Sequence, residues 1–204
     1  MGLYPLKDWT VWAALIILLM VLLTCARNQV WLSPLSMWTD ITVKSPRKPR
    51  PHLNLGNEYY GRGNIAEAAI YWSRAAQLAR SRPRTLDSAY FDYATIAESN
   101  IAAVLILQKR FAEAEVILGR LVAERESAET VTNLSLVYVR QGRLDKALDM
   151  MNYGVEKYPG YSELLFNRGD FLAALRQCGQ ANQDYKLAAS LNADVPRKTC
   201  AQVP

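Results

Sequence analysis

Apolar and polar positions divide the chain into three parts. Trp9 to Ala26 runs eighteen residues without a charge. As a helix this run is about 27 Å long at 1.5 Å per residue, close to the hydrocarbon thickness of a bilayer. Residues 27–48 follow as a mixed segment, with basic residues and prolines crowding toward its end. From Pro49 onward apolar residues recur three and four apart, in blocks broken by glycines, prolines and polar clusters, which is the pattern of short amphipathic helices. The pattern predicts an all-α chain in which one membrane-length helix precedes a series of helix pairs.

The helical blocks repeat. Asn54-Leu55-Gly56, Asn100-Ile101-Ala102, Asn133-Leu134-Ser135 and Asn167-Arg168-Gly169 align, with their asparagines 46, 33 and 34 residues apart. Twelve residues after each small residue stands an alanine (Ala68, Ala114, Ala147, Ala181), and four further on a large side chain (Trp72, Leu118, Met151, Tyr185). Small residues let two antiparallel helices approach, while the large ones fill the space between units. A unit of about 34 residues built this way cannot bury its apolar face alone and has to stack on its neighbours.

On these residues the chain resembles the tetratricopeptide repeat (TPR) proteins. Leu55, Gly56, Tyr59, Ala68, Trp72 and Ala75 follow the family pattern in the first repeat, and Leu134, Tyr138, Gly142, Ala147 and Pro159 in the third. The second and fourth are degenerate, with Ala102 in place of the glycine in one and Arg168 in place of the leucine in the other. The apolar run and the basic, proline-rich stretch give a transmembrane helix (1–26) and a juxtamembrane segment with a tether (27–48), and the resemblance implies an α-solenoid (49–193) of about four repeats after them. The repeats are placed at about 49–82, 95–127, 128–161 and 162–193, with an insertion at 83–94 and a tail at 194–204. Pro83 stops the preceding helix, and the aromatic residues after Asp87 suggest that the next one begins early and runs long.

The junction carries a second resemblance. Arg27-Asn28, Trp31, Ser33, Trp38, Asp40, Val43, Ser45-Pro46 and Arg50 are similar to the segment that leads into C-terminal TPRs in bacterial multi-pass membrane proteins, some of them O-mannosyltransferase-like. These residues correspond only to the last membrane helix, the junction and the repeats. Glycosyl transfer is therefore not carried over: the resemblance implies either a stand-alone relative or a short partner subunit, with an accessory role in an envelope glycosyltransferase system as one alternative.

Two readings of the first part stand side by side: a membrane anchor with interfacial Trp9, Trp12, Trp31 and Trp38, or a cleaved signal peptide with Lys7 as its basic region. The anchor reading is preferred because the apolar run exceeds a typical signal core. Topology has two opposed arguments. Arg27, Lys44, Arg47, Lys48 and Arg50 after the span favour a cytoplasmic solenoid. The resemblance implies the exoplasmic face, and four of those charges lie 18 to 24 residues beyond Ala26, where they count weakly. An exoplasmic solenoid on a cell membrane, periplasmic in a bacterial envelope, is the expectation.

Charge and composition exclude more than they identify. A net charge of +5 and a pI near 9.1 fall short of a concentrated nucleic-acid footprint, so no nucleic acid is expected. Cys25, Cys178 and Cys200 lack metal-ligand spacing and His52 is the only histidine, so neither a metal nor a cofactor is expected. No nucleophile–base arrangement, phosphate loop or metal-binding helix pattern occurs, which points away from an enzyme.

The recurring asparagine is the most specific chemical feature. Asn54, Asn100, Asn133 and Asn167 occupy one position of each first helix, where a primary amide offers both a donor and an acceptor to a peptide backbone. The alternative is that each amide bonds a neighbouring helix or caps a local backbone group. Asn57, Tyr60, Arg140 and Asp170 are expected on the same face, with Arg50, Ser99, Leu136 and Phe166 beside them. The expected partners are one or more proteins of the membrane or envelope, held by a non-enzymatic adaptor, with a purely structural assembly factor as a further alternative. Lys44, Arg47, Lys48 and Arg50, kept extended by Pro46, Pro49 and Pro51, form a spacer able to touch anionic lipid. Cys178 and Cys200 either pair across a folded-back tail or remain separate thiols.

Overall fold

The computed structural model describes residues 8–81 and 88–202, so Lys7 and the first part of the insertion, 83–87, lie outside the described residues. Those described form ten α-helices and a closing 3-10 turn, with no strand among them. The chain divides into two units between Arg82 and Pro83.

In the first unit, α1 (Asp8–Val30) holds an apolar stretch, Trp9–Val30, that the other described residues of the unit leave unburied. It is long and apolar enough to be a membrane span or a signal sequence. Helix α2 (Pro34–Lys44) starts at Ser33, whose hydroxyl accepts from the Ser36 N–H at 3.1 Å, with Pro34 in the first turn, where its missing N–H leaves no bond unmade. Arg27 of α1 pairs with Asp40 of α2, which also takes Lys44 at 2.7 Å. The two cations, Lys44 first, hold the Asp40 carboxyl below its ordinary value.

The extended tether expected before the repeats is not what the structure shows. Of the spacer Lys44–Arg50, Lys44 ends α2, residues 45–48 form a turn, and Pro49 and Arg50 already belong to α3 (Pro49–Gly61), on which α2 packs. The prolines start structure here rather than keep the chain open: Pro49 and Pro51 are buried in the first turn of α3. The His52 Nε2–H donates to the Pro46 carbonyl at 3.0 Å and pins the turn. Helix α3 then pairs with α4 (Ile65–Arg80). A Cβ on Gly56 would lie 2.5 Å from Trp72 Cδ1, so only glycine admits the indole that fills this pair.

The second unit contains three helix pairs: α5 (Ser88–Leu107) with α6 (Phe111–Arg125), α7 (Ala128–Arg140) with α8 (Leu144–Lys157), and α9 (Ser162–Ala174) with α10 (Cys178–Leu191). Ala114, Ala147 and Ala181 are completely buried, each followed one turn later by a buried Leu118, Met151 or Tyr185, as the repeat register predicts. Helix α7 begins in a capping box in which the Ser127 and Thr130 side chains each take the other's backbone N–H. Polar ties join successive pairs: Arg143 reaches Glu115 at 2.7 Å, and Glu126 accepts from Tyr153 and Tyr158.

One backbone feature recurs in both units. The turn inside each helix pair passes through a left-handed residue, at Gly63 (φ 78°), Lys109 (61°), Gly142 (73°) and Arg176 (62°). Equivalent bonds close each turn, such as Arg110 N to Leu105 O at 2.8 Å and Gln177 N to Leu172 O at 2.9 Å. A side chain in this region costs roughly 1–2 kcal/mol, partly offset by the lower entropy that glycine has to lose. Lys109→Gly and Arg176→Gly are each expected to stabilise the second unit by about 0.5–1 kcal/mol, seen as a melting temperature a few degrees higher. A lower melting temperature in both would contradict strain at these turns.

Candidate functional site

Residues three and four apart share one side of a helix, and each first helix of the second unit leaves one such stripe open to solvent. On α5 the stripe is Ile96, Asn100, Ala103 and Leu107; on α7 it is Glu129, Asn133, Leu136 and Arg140; on α9 it is Glu163, Asn167 and Asp170. All are exposed or half-buried, while the opposite sides of the helices hold the core. Helix α7 packs beside both α5 and α9, so the three stripes are neighbours. Their chemistry changes across the unit, from apolar on α5 through mixed on α7 to acidic on α9.

Electrostatics sharpens the acidic end. Desolvation first, and then the nearby charge of Glu163, raise the Glu129 carboxyl. Tyr161 is pushed up to about 12, by burial first and by Glu163 next. Two carboxylates and a neutral phenol therefore sit at one end of the α7 and α9 stripes, where a cation would relieve the repulsion.

The asparagines differ in what they touch. Asn133 and Asn167, both half-buried, have no side-chain hydrogen-bond partner among the described residues, whereas Asn100 is already engaged within the protein. In the first unit Asn54 is half-buried on α3 and likewise has no such partner. Of its neighbours there, Asn57 accepts from Trp72 Nε1 at 2.9 Å, and the exposed Tyr60 tilts against the Trp72 ring at 5.4 Å.

Other expected residues are placed differently. Ser99 is not on the open stripe: it is 3% exposed with its hydroxyl unpartnered, because it lies one residue round from Asn100 and faces the core. Asp170 is on the stripe but engaged, accepting from the Tyr185 hydroxyl at 2.7 Å and the Lys198 ammonium at 2.8 Å. Arg140 is exposed and has no partner among the described residues. Arg47, Lys48 and Arg50 are exposed and unpaired in the turn before α3 and at its start, while Lys44 is held by Asp40. Among the described residues no group of three or more His, Cys, Asp or Glu is placed to hold a metal ion.

The tail after α10 folds back along that helix, and Cys178 and Cys200 are disulfide-bonded with their Cα atoms 5.2 Å apart. Cys200 is buried with Tyr185, Leu172 and Ala181, and its N–H donates to Asn182 Oδ1 at 2.8 Å. Lys198 lies over the Phe166 and Tyr185 rings. Sequence reasoning missed this use of Lys198, since nothing in "VPRKTC" by itself aims a lysine at α9.

A tetratricopeptide-repeat family model matches residues 128–152, which cover α7 and most of α8. The human protein named Protein O-mannosyl-transferase TMTC1 is 31% identical over 162 residues, or 77% of this chain, and the chain spans 17% of that protein's length. Among solved structures, Pseudomonas aeruginosa pilF is similar at a TM-score of 0.63 and 18% identity, over 84% of this chain and 72% of that one. YrrB, "a TPR protein with an unusual peptide-binding site", is similar at 0.54 and 19% identity, over 76% and 75%. At these identities the solved structures show the fold, an all-α TPR solenoid.

Proposed function

We propose that this TPR protein is a membrane-anchored, non-enzymatic adaptor that holds an extended segment of another protein on the open stripes of its first helices. The observation that carries this reading is the pair Asn133 and Asn167: equivalent amides on neighbouring helices, half-buried, with their donors and acceptors uncommitted to the fold. An amide held for packing would have a protein partner, whereas one that clamps a main chain stays open until the ligand arrives. The change from apolar Ile96 and Leu107 to acidic Glu129 and Glu163 fits a segment that is apolar at one end and basic at the other.

Helix α1 supplies the anchor, and Arg47, Lys48 and Arg50 add about 1 kcal/mol each wherever they lie close to anionic head groups. The disulfide supports an oxidising compartment, and with it the exoplasmic face of the cell membrane.

The test is affinity purification of the full chain from mildly solubilised native membranes, beside an Asn100→Ala/Asn133→Ala/Asn167→Ala variant checked for folding by circular dichroism. A specific protein partner reduced at least tenfold in the variant is the expected result. A partner retained in full by the variant rules out the stripes as its seat.

A second reading, an accessory subunit that presents acceptor proteins to a multi-span glycosyltransferase, is favoured by the match to the human O-mannosyl-transferase over 77% of this chain. Under it, the partner identified by mass spectrometry is itself a multi-span membrane transferase.

A further inference from the structure

The folded-back tail does more than cover the end of the helix stack. Between it and α10 lies a cavity of about 420 Å³. Lys186 lines it from the helix, and Arg197 and Lys198 line it from the tail, together with the polar side chains of Asn182, Ser190 and Thr199. Among the described residues lining it there is no carboxylate. Lys198 is neutralised by Asp170 at 2.8 Å, outside the cavity wall, but Lys186 and Arg197 are exposed and have no partner among the described residues. Nearby Asp184 does not compensate them, because it is buried and bonded twice to Arg168 at 2.7 Å. Two unpaired cations of different reach therefore converge on one concavity. Asn182 Oδ1 already accepts from the Cys200 N–H, which leaves its NH₂ to donate.

We propose that this cavity binds a phosphate-type anion, gripped by Arg197 and Lys186 with a neutral donor from the α10 wall. Guanidinium and ammonium groups form their strongest hydrogen bonds to such oxygens, and the guanidinium fork suits a tetrahedral anion in particular. Half of the grip comes from the tail, so the site exists only while the Cys178–Cys200 cross-link holds the tail against α10. The anion has two possible sources of the same chemistry, free phosphate or the phosphate of a lipid head group.

Acetylation footprinting of Lys186 by mass spectrometry reads the site locally, in the full chain in neutral detergent. Rising inorganic phosphate at constant ionic strength is expected to protect Lys186 at least fivefold. Arg197→Ala, an exposed position that leaves the fold intact, and Cys178→Ser/Cys200→Ser, which frees the tail, should each abolish the protection. A second arm places the chain in nanodiscs of phosphatidylcholine, with or without phosphatidylglycerol. Protection that needs phosphatidylglycerol and is lost in Arg197→Ala identifies the head group as the source. No protection in either arm, or protection that survives Arg197→Ala, overturns the proposal.

Discussion

Tyr185→Ala is expected to destabilise the last helix pair by about 3–5 kcal/mol, the range for emptying a buried aromatic site. Tyr185 is 1% exposed and wedged against Gly169, where a Cβ would lie 2.7 Å from its ring. It also meets Phe166 at 5.5 Å and donates to Asp170. Burial first, and then Asp170, raise the phenol's pKa, so it remains a neutral donor throughout the working pH range. No small shift of α9 or α10 refills the space, because both helices are already close-packed along Gly169 and Ala181. In a stacked-repeat fold each unit leans only on its neighbours, so the loss should appear as local opening of α9 and α10 rather than global unfolding. Hydrogen exchange on the full chain should show amides of 162–191 losing roughly a hundred- to several-thousandfold of their protection, with 128–157 little changed. Equal loss across α5 to α10 would mean that the unit opens as one. Unchanged protection in α9 and α10 would remove Tyr185 from its central place in the packing.

How much of this was legible beforehand varies with what each residue does. The buried alanines and their large successors were readable because tight helix pairing demands a small side chain at a fixed interval, whatever surrounds it. The open asparagine stripes were readable for the same reason, although the sequence could not say that Asn100 has a partner while Asn133 has none. Lys109 and Arg176 hid their turns: the left-handed residue is required by the geometry of the pair, but two repeats fill it with a cation instead of glycine. Helix α2 is hidden in the mixed composition of residues 27–48, where Ser33-Pro34 is its only local start signal, and Pro49 and Pro51, expected to keep the spacer extended, begin α3 instead. The tail's course depends on contacts with Asn182, Asp170 and Phe166, which are distant in sequence, and no periodicity foretells it.

Removing the cross-link with Cys178→Ser/Cys200→Ser is expected to cost about 3 kcal/mol, from the loop-closure entropy of a 22-residue separation. The effect should fall on the tail before it reaches the helices. The tail's other fastenings include the Cys200 N–H bond to Asn182 and the partly exposed Lys198–Asp170 pair, each worth about 1 kcal/mol or less. Either is no larger than the entropy of ordering a single residue, so the cross-link outweighs each of these polar contacts in holding the tail. Trypsin sites at Arg197 and Lys198 should resist cleavage in the oxidised chain and be cut rapidly in the double variant, while α9 and α10 remain protected. A tail that stays resistant without the cross-link would show that Cys200 packing and the polar contacts suffice. The same pair reports the compartment: in intact cells, thiol reagents should modify Cys178 and Cys200 only after reduction if the repeats face an oxidising space, and without it if they face the cytoplasm.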